Sequence, residues 1–197
     1  LGYKSAVVNF SDIYAMNGTP KQMTVSIALS KRFSVQDLEE FYAGLELACK
    51  KHNVDLIGGD TTSSLTGLAI SITCLGECEK GKAVYRKNAG QNDLICVTGN
   101  LGAAYMGLQM LEREKAVFNS TEQDGNTPFA PDFSGKEYLL ERQLKPEARQ
   151  DIIAQLKEAG VQPTPMIDIS DGLSSELMHL CKQSGTGCSI FQERIPI

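Results

Sequence analysis

Apolar residues recur along this chain with two different periods. Ala6, Phe10 and Ile13 fall at helical intervals within residues 1–16, and Asn17-Gly18-Thr19-Pro20 then ends the predicted helix. Residues 23–29 alternate well enough to predict a strand. Ser34, followed three residues later by Asp37, opens a helix that runs to about Lys51, with Phe41, Leu45 and Ala48 as its inner stripe and Tyr42 beside it. Leu56-Ile57 leads into Gly58-Gly59-Asp60-Thr61-Thr62, which reads as a buried strand stopping at a turn. Residues 67–77 predict a further β segment, with Leu68, Ile70, Ile72 and Cys74 on one face.

Lys80-Gly81 marks a turn, and residues 84–87 lead to Gly90-Gln91-Asn92-Asp93, whose composition suits a boundary between two lobes. Leu94 to Val97 predicts a buried strand, and Thr98 to Gly102 a tight turn into a helix reaching about Glu114. Residues 115–133 are rich in Asn, Ser, Thr, Gly and Pro and predict a long loop. Helices are expected over 136–143 and 147–159, with Pro146 at the break and Gly160 as the stop. Residues 166–171 predict a strand with Asp168 and Ser170 on one side, followed by Asp171 and a helix over 173–182. There is no internal repeat, and the alternation of strands with helices indicates a mixed α/β chain in two lobes.

Composition narrows the function classes. The 197 residues are 42% hydrophobic, enough for a sizeable core, and 24 acidic against 19 basic residues leave no basic surface suited to nucleic acid. An acidic protein acting on an anionic ligand needs cations between the two. The six cysteines form no C-x-x-C pair, so reduced core thiols are expected rather than a zinc site. His52 and His179 are expected at the surface or at helix ends. No apolar run is long enough to cross a bilayer and no signal peptide is evident, so a cytoplasmic location is expected, with no membrane partner. The chain is expected to begin and end within domains of something longer.

Three stretches carry candidate chemistry. Gly58-Gly59-Asp60-Thr61-Thr62 offers a hard oxygen ligand for Mg2+ together with backbone N–H groups and hydroxyls for phosphate oxygens. Asn9-Phe10-Ser11-Asp12 is a polar cluster in an otherwise apolar helix. Asp168, Ser170 and Asp171 crowd one strand end, and an EF-hand does not explain them, because the twelfth position from Asp168 is His179. Each stretch by itself also fits a structural role: a glycine turn, an exposed helix face, and Asp171 as a helix N-cap. The P-loop pattern and the dinucleotide fingerprint are both absent.

Taken jointly, Asn9 to Met16, Ile57 to Thr62, Arg86, Asp93 to Gly99 and Ile167 to Leu173 resemble thiamine-monophosphate kinase in order and spacing along almost the whole chain. The resemblance implies the two-lobed fold of the superfamily that includes aminoimidazole ribonucleotide synthetase and selenophosphate synthetase. It places an N-terminal ATP- and Mg2+-binding, dimerising lobe over residues 1–88 and a C-terminal α+β lobe over 89–197. Both lobes would be incomplete: an N-terminal segment with further acidic ligands would precede Leu1, and the part closing over thiamine would follow Ile197. By the same resemblance Asp12, Asp60 and Asp168 are Mg2+ ligands and Asp171 holds a further ion. Gly59, Asp60, Arg86, Ser170 and Tyr42 are nucleotide-contacting positions. The implied reaction moves the γ-phosphoryl of ATP onto thiamine monophosphate in a homodimer, with no side chain needed as nucleophile or base. The alternatives are another ATP-dependent enzyme of the superfamily, such as a purine-biosynthetic synthetase, and a non-catalytic dimerising module.

Overall fold

The computed structural model describes residues 1–124 and 131–197, with the side chains of 121–124 also left undescribed. It resolves into two compact units, one formed by residues 1–98 with 148–190 and the other by 99–147 with 191–197.

The first unit holds the helix α1 (Gly2–Ala15), the strand β1 (Thr19–Leu29), the helix α2 (Val35–His52) and the strands β2 (Asp55–Ser63) and β3 (Ala69–Glu77). The three strands form one sheet in the order β2-β1-β3, with β1 parallel to β2 and antiparallel to β3. Helix α2 is the crossover that a parallel pair requires. Its start is fixed by Ser34 and Asp37: the Asp37 N–H donates to Ser34 Oγ at 3.2 Å, and the Ser34 N–H donates to Asp37 Oδ2 at 2.7 Å. Both hydrogen bonds were implied by the three-residue spacing. The Ser34 N–H and the Ser34 hydroxyl, both donating to Asp37 Oδ2, hold that carboxyl below the usual carboxylate range.

The core forms where α1 and α2 lie on one face of the sheet. Tyr3, Ala6, Val7, Phe10 and Tyr14 of α1 and Phe41, Leu45, Ala48 and Cys49 of α2 bury against Met23, Val25 and Ile27 of β1. Ile70, Ile72 and Cys74 complete that layer from β3, as the alternation predicted, standing opposite Ile27, Val25 and Met23. The later helix α5 (Gln150–Glu158) adds Ile153 to the same core. Gly59 lies so close to β1 that a Cβ there would collide with the Val25 carbonyl oxygen.

Several expectations need correction. The strand after Asp55 does not stop at Gly58-Gly59 but continues to Ser63, so Asp60 sits within it. It is also exposed throughout, because β1 is its one strand neighbour among the described residues. Residues 94–97 form no strand, and Leu94 is 89% exposed, since no strand among the described residues pairs with them. Residues 166–171 make no ladder either; their segment meets the chain near Tyr85 through an isolated parallel bridge between Tyr85 and Pro165. The helix expected from Glu147 begins at Gln150. His52 does end α2, as expected, but it is buried rather than at the surface, sharing a 3.0 Å hydrogen bond between its Nδ1 and the Tyr14 hydroxyl. All six cysteines are free, yet Cys78, Cys96 and Cys188 are exposed rather than core residues.

The first unit ends with helix α6 (Leu173–Ser184), closed by Gly185 in the left-handed region. The second unit contains α3 (Ala103–Asp124), α4 (Glu137–Leu144) and a short 3-10 helix, Gln192–Arg194. Helix α3 runs well past Glu114, overturning the loop expected from 115 onward, because Lys115-Ala116 extend the helix-forming run; residues 125–130 of that loop lie outside the described residues. Within this unit Tyr138 donates to Asn100 Oδ1 at 2.5 Å, and the Leu101 N–H donates to the Pro196 carbonyl at 2.9 Å.

Removing the ring of Phe10, which is fully buried, is expected to cost about 3–5 kcal/mol of stability, read by chemical denaturation. Gly59→Ala is expected to cost about 1–3 kcal/mol in the same assay, the usual penalty for overpacking.

Candidate metal and phosphate site

The amphipathic pattern of α1 decides where its polar residues stand. With Phe10 and Tyr14 turned into the core, Ser11 is left half-buried at the margin and Asp12 exposed. The Asn9 side chain, part of the same polar cluster, is satisfied by its own helix, donating to the Ser5 carbonyl at 2.8 Å. The segment carrying Asp168 reaches this margin because the Met166 N–H donates to the Tyr85 carbonyl at 3.2 Å, which also sets Arg86 nearby.

Asp168 is consequently half-buried among groups that pull in opposite directions. Burial raises its carboxyl above the usual range, and the negative charge of Asp12 raises it further. A hydrogen bond from the Ser11 hydroxyl and the positive charge of Arg86 oppose that shift without cancelling it. Behind the pair, burial pushes the Cys74 thiol up to about 11 and the Tyr14 phenol up to about 12. Both stay neutral at physiological pH and add no counter-charge.

Two carboxylates that repel each other in a half-dry setting, with a hydroxyl and a guanidinium at hand, suit a hard cation. Mg2+ characteristically takes one or two protein carboxylates and completes its shell with phosphate oxygens and water. Among the described residues no group of three His, Cys, Asp or Glu side chains is placed to hold a metal.

The other candidate residues lie elsewhere in the same unit. Gly59, Asp60 and Tyr42 line an open depression of about 460 Å3 with Val25, Leu56, Ile57, Gly58 and Thr61, and Asp60 stands opposite Ser26 in the sheet register. Asp60 therefore does not join Asp12 and Asp168 in a three-carboxylate cluster. Ser170 and Asp171 are exposed in the turn before α6. Asp171 is not the N-cap of that helix, a position held by Gly172. Its backbone N–H instead donates at 3.1 Å to Oε1 of Glu176, which is buried. Ser11 was read only as part of the polar cluster on α1, and Glu176 was not singled out from sequence. A carboxylate in the first turns of a helix that follows an acidic strand end was the available signal for Glu176.

The first 78 residues match the family model described as AIR synthase related protein, N-terminal domain. Along its whole length the chain is also similar to curated thiamine-monophosphate kinases. It is 34% identical over 200 residues to the one from Bacillus subtilis (strain 168) and 31% identical over 197 residues to the one from Aquifex aeolicus (strain VF5). The chain spans 56% and 58% of those two proteins, a little over half their length. Among solved structures, AaThiL complexed with AMPPCP and TMP superposes with a TM-score of 0.83 at 31% identity, covering all of this chain and 57% of that one. A HypE-HypF complex, at 20% identity and a TM-score of 0.75, shares the fold alone. The fold is thus the AIR synthase-like one, as the motifs implied.

Because folding raises the Asp168 carboxyl, its protonated form stabilises the fold at low pH, and that contribution is lost as pH rises through the raised value. Asp168→Asn in chelator-treated protein is therefore expected to melt higher than the parent near pH 7. The difference should vanish below about pH 4, where the parent carboxyl is protonated in the folded and unfolded states alike. Thermal melts across that range check the sign.

Proposed function

We propose that the full-length protein transfers the γ-phosphoryl group of ATP to thiamine monophosphate, forming thiamine diphosphate and ADP. What carries this reading is the pairing of half-buried Asp168 with Asp12 beside Arg86, in a chain similar throughout to thiamine-monophosphate kinases. One solved relative of this similarity is complexed with AMPPCP and TMP.

Both reactants are phosphate anions, so their repulsion must be offset before the reacting oxygens align. When bound, Mg2+ supplies that neutralisation and draws charge from the phosphate oxygens. In this proposal Asp12 and Asp168 hold the cation, Ser11 fixes the Asp168 carboxylate by its hydrogen bond, and Asp171 serves a further ion. Arg86 offers a permanently charged planar contact to phosphate oxygens. Asp60, on β2 and apart from the Asp12–Asp168 pair, is a separate cation ligand, Gly59 and Ser170 contact the phosphates, and Tyr42 flanks the nucleotide. With a phosphate as acceptor, no side chain need act as general base.

The lobe boundary near residue 88, assembly as a homodimer through the sheet and a cytoplasmic location belong to the same proposal. The face of the sheet away from α1 and α2 carries Ser26, Ser71, Thr73 and Leu75, all exposed, which favours sheet-to-sheet contact. Among the described residues no helix is long and apolar enough to cross a membrane.

The test is product formation by full-length protein supplied with Mg-ATP and thiamine monophosphate, followed by chromatography. Thiamine diphosphate and ADP are expected in equal amounts, and failure to form them would sink the reading. Asp168→Asn and Asp60→Asn are each expected to lower turnover at least about a hundredfold.

A further inference from the structure

Glu176 is an anomaly that the proposed reaction does not use. It is one of the few polar side chains in the described residues that is buried, at 5% exposure, and it lies in the first turns of α6. Burying a carboxylate is costly unless its oxygens are engaged. Its Oε1 accepts the N–H of Asp171, five residues back, at 3.1 Å, while its own N–H donates to the Gly172 carbonyl at 3.1 Å.

These two bonds clasp the turn from both sides. Between them sits Gly172 with φ 129°, a backbone state that side-chain-bearing residues rarely adopt and that nothing within 4 Å of a Cβ position would enforce by packing. Helix α6 has no side-chain cap hydrogen bond at its start, and the reach of Glu176 back to Asp171 is a side-chain interaction that ties this turn to the helix. The turn connects Asp168, beside Asp12, to Asp171 and Ser170, which are exposed.

We propose that Glu176 is a positioning residue: by holding the Asp171 amide it fixes the turn that presents Asp168, Ser170 and Asp171 to a divalent cation and its phosphate ligand. This rests on the reading of those residues under Proposed function. Glu176 acts through hydrogen-bond acceptance at a set reach, and its charge is dispensable.

The distinction is testable in full-length protein with two variants of similar volume. Glu176→Gln keeps an acceptor oxygen without the charge, whereas Glu176→Met keeps the bulk without the acceptor. Mn2+ binding followed by electron paramagnetic resonance, with nucleotide present, is expected to weaken about tenfold or more in Glu176→Met, the scale seen when a residue supporting metal ligands is lost. It should stay within about threefold of the parent in Glu176→Gln. Amide exchange at Asp171 should accelerate in the Met variant and remain slow in the Gln variant. Equal loss in both variants would overturn the proposal in favour of a charge effect, and unchanged binding and exchange in Glu176→Met would overturn it outright. Should Glu176→Met fail to fold, loss of binding or of Asp171 protection in a folded Glu176→Gln would still refute it. If the parent binds Mn2+ and protects Asp171 but forms no thiamine diphosphate, the proposed reaction fails while the positioning role stands.

Discussion

A half-buried carboxylate held beside an exposed one of like charge is the constraint from which the rest of this molecule follows. Asp12 and Asp168 come from opposite ends of the first unit, one on the opening helix and one more than 150 residues later, and the charge of Asp12 makes Asp168 harder to ionise. Such a pair costs stability, and the surrounding polar groups temper that cost without removing it.

What makes the arrangement sustainable is the apolar layer beneath. Phe10, Met23, Leu45, Val7 and Val25 are all essentially inaccessible, so α1 is anchored along its length and Ser11 and Asp12 have little freedom at its margin. The sulfur and hydroxyl groups in that layer are quiet ones. Cys49 donates to the Met23 thioether at 3.4 Å, and burial keeps Cys49, Cys74 and Tyr14 protonated. The electrostatics of the margin are therefore set by Asp12, Asp168 and Arg86 rather than by the interior.

The elements legible in the sequence were those written in local signals. Ala6 and Phe10 of the α1 stripe, the Ser34-Asp37 cap and the alternation of Ile70, Ile72 and Cys74 each involve residues a few positions apart, and each appears as read, while Tyr14 rather than Ile13 completes the buried stripe. Elements that depend on a distant partner were misread. Leu94 to Val97 has the composition of a buried strand but no strand to pair with among the described residues, and residues 166–171 gain only a single bridge near Tyr85. Composition also misled at Lys115, where Asn- and Ser-rich sequence continues a helix. At the site, the motif residues were identifiable as types, while the proximity of Ser11 to Asp168 and the reach of Glu176 to Asp171 arise from chain crossings that no spacing encodes.

The exposure of β2 carries a consequence of its own. Leu56 and Ile57 are 41% and 52% exposed, and among the described residues the strand is paired on one side only. A sheet border of this kind offers a row of backbone donors and acceptors to any extended peptide of suitable length. Unless further chain covers it, that rim is where the polypeptide would recruit another strand, so colloidal behaviour and folding yield hinge on whether this border is sheathed during synthesis.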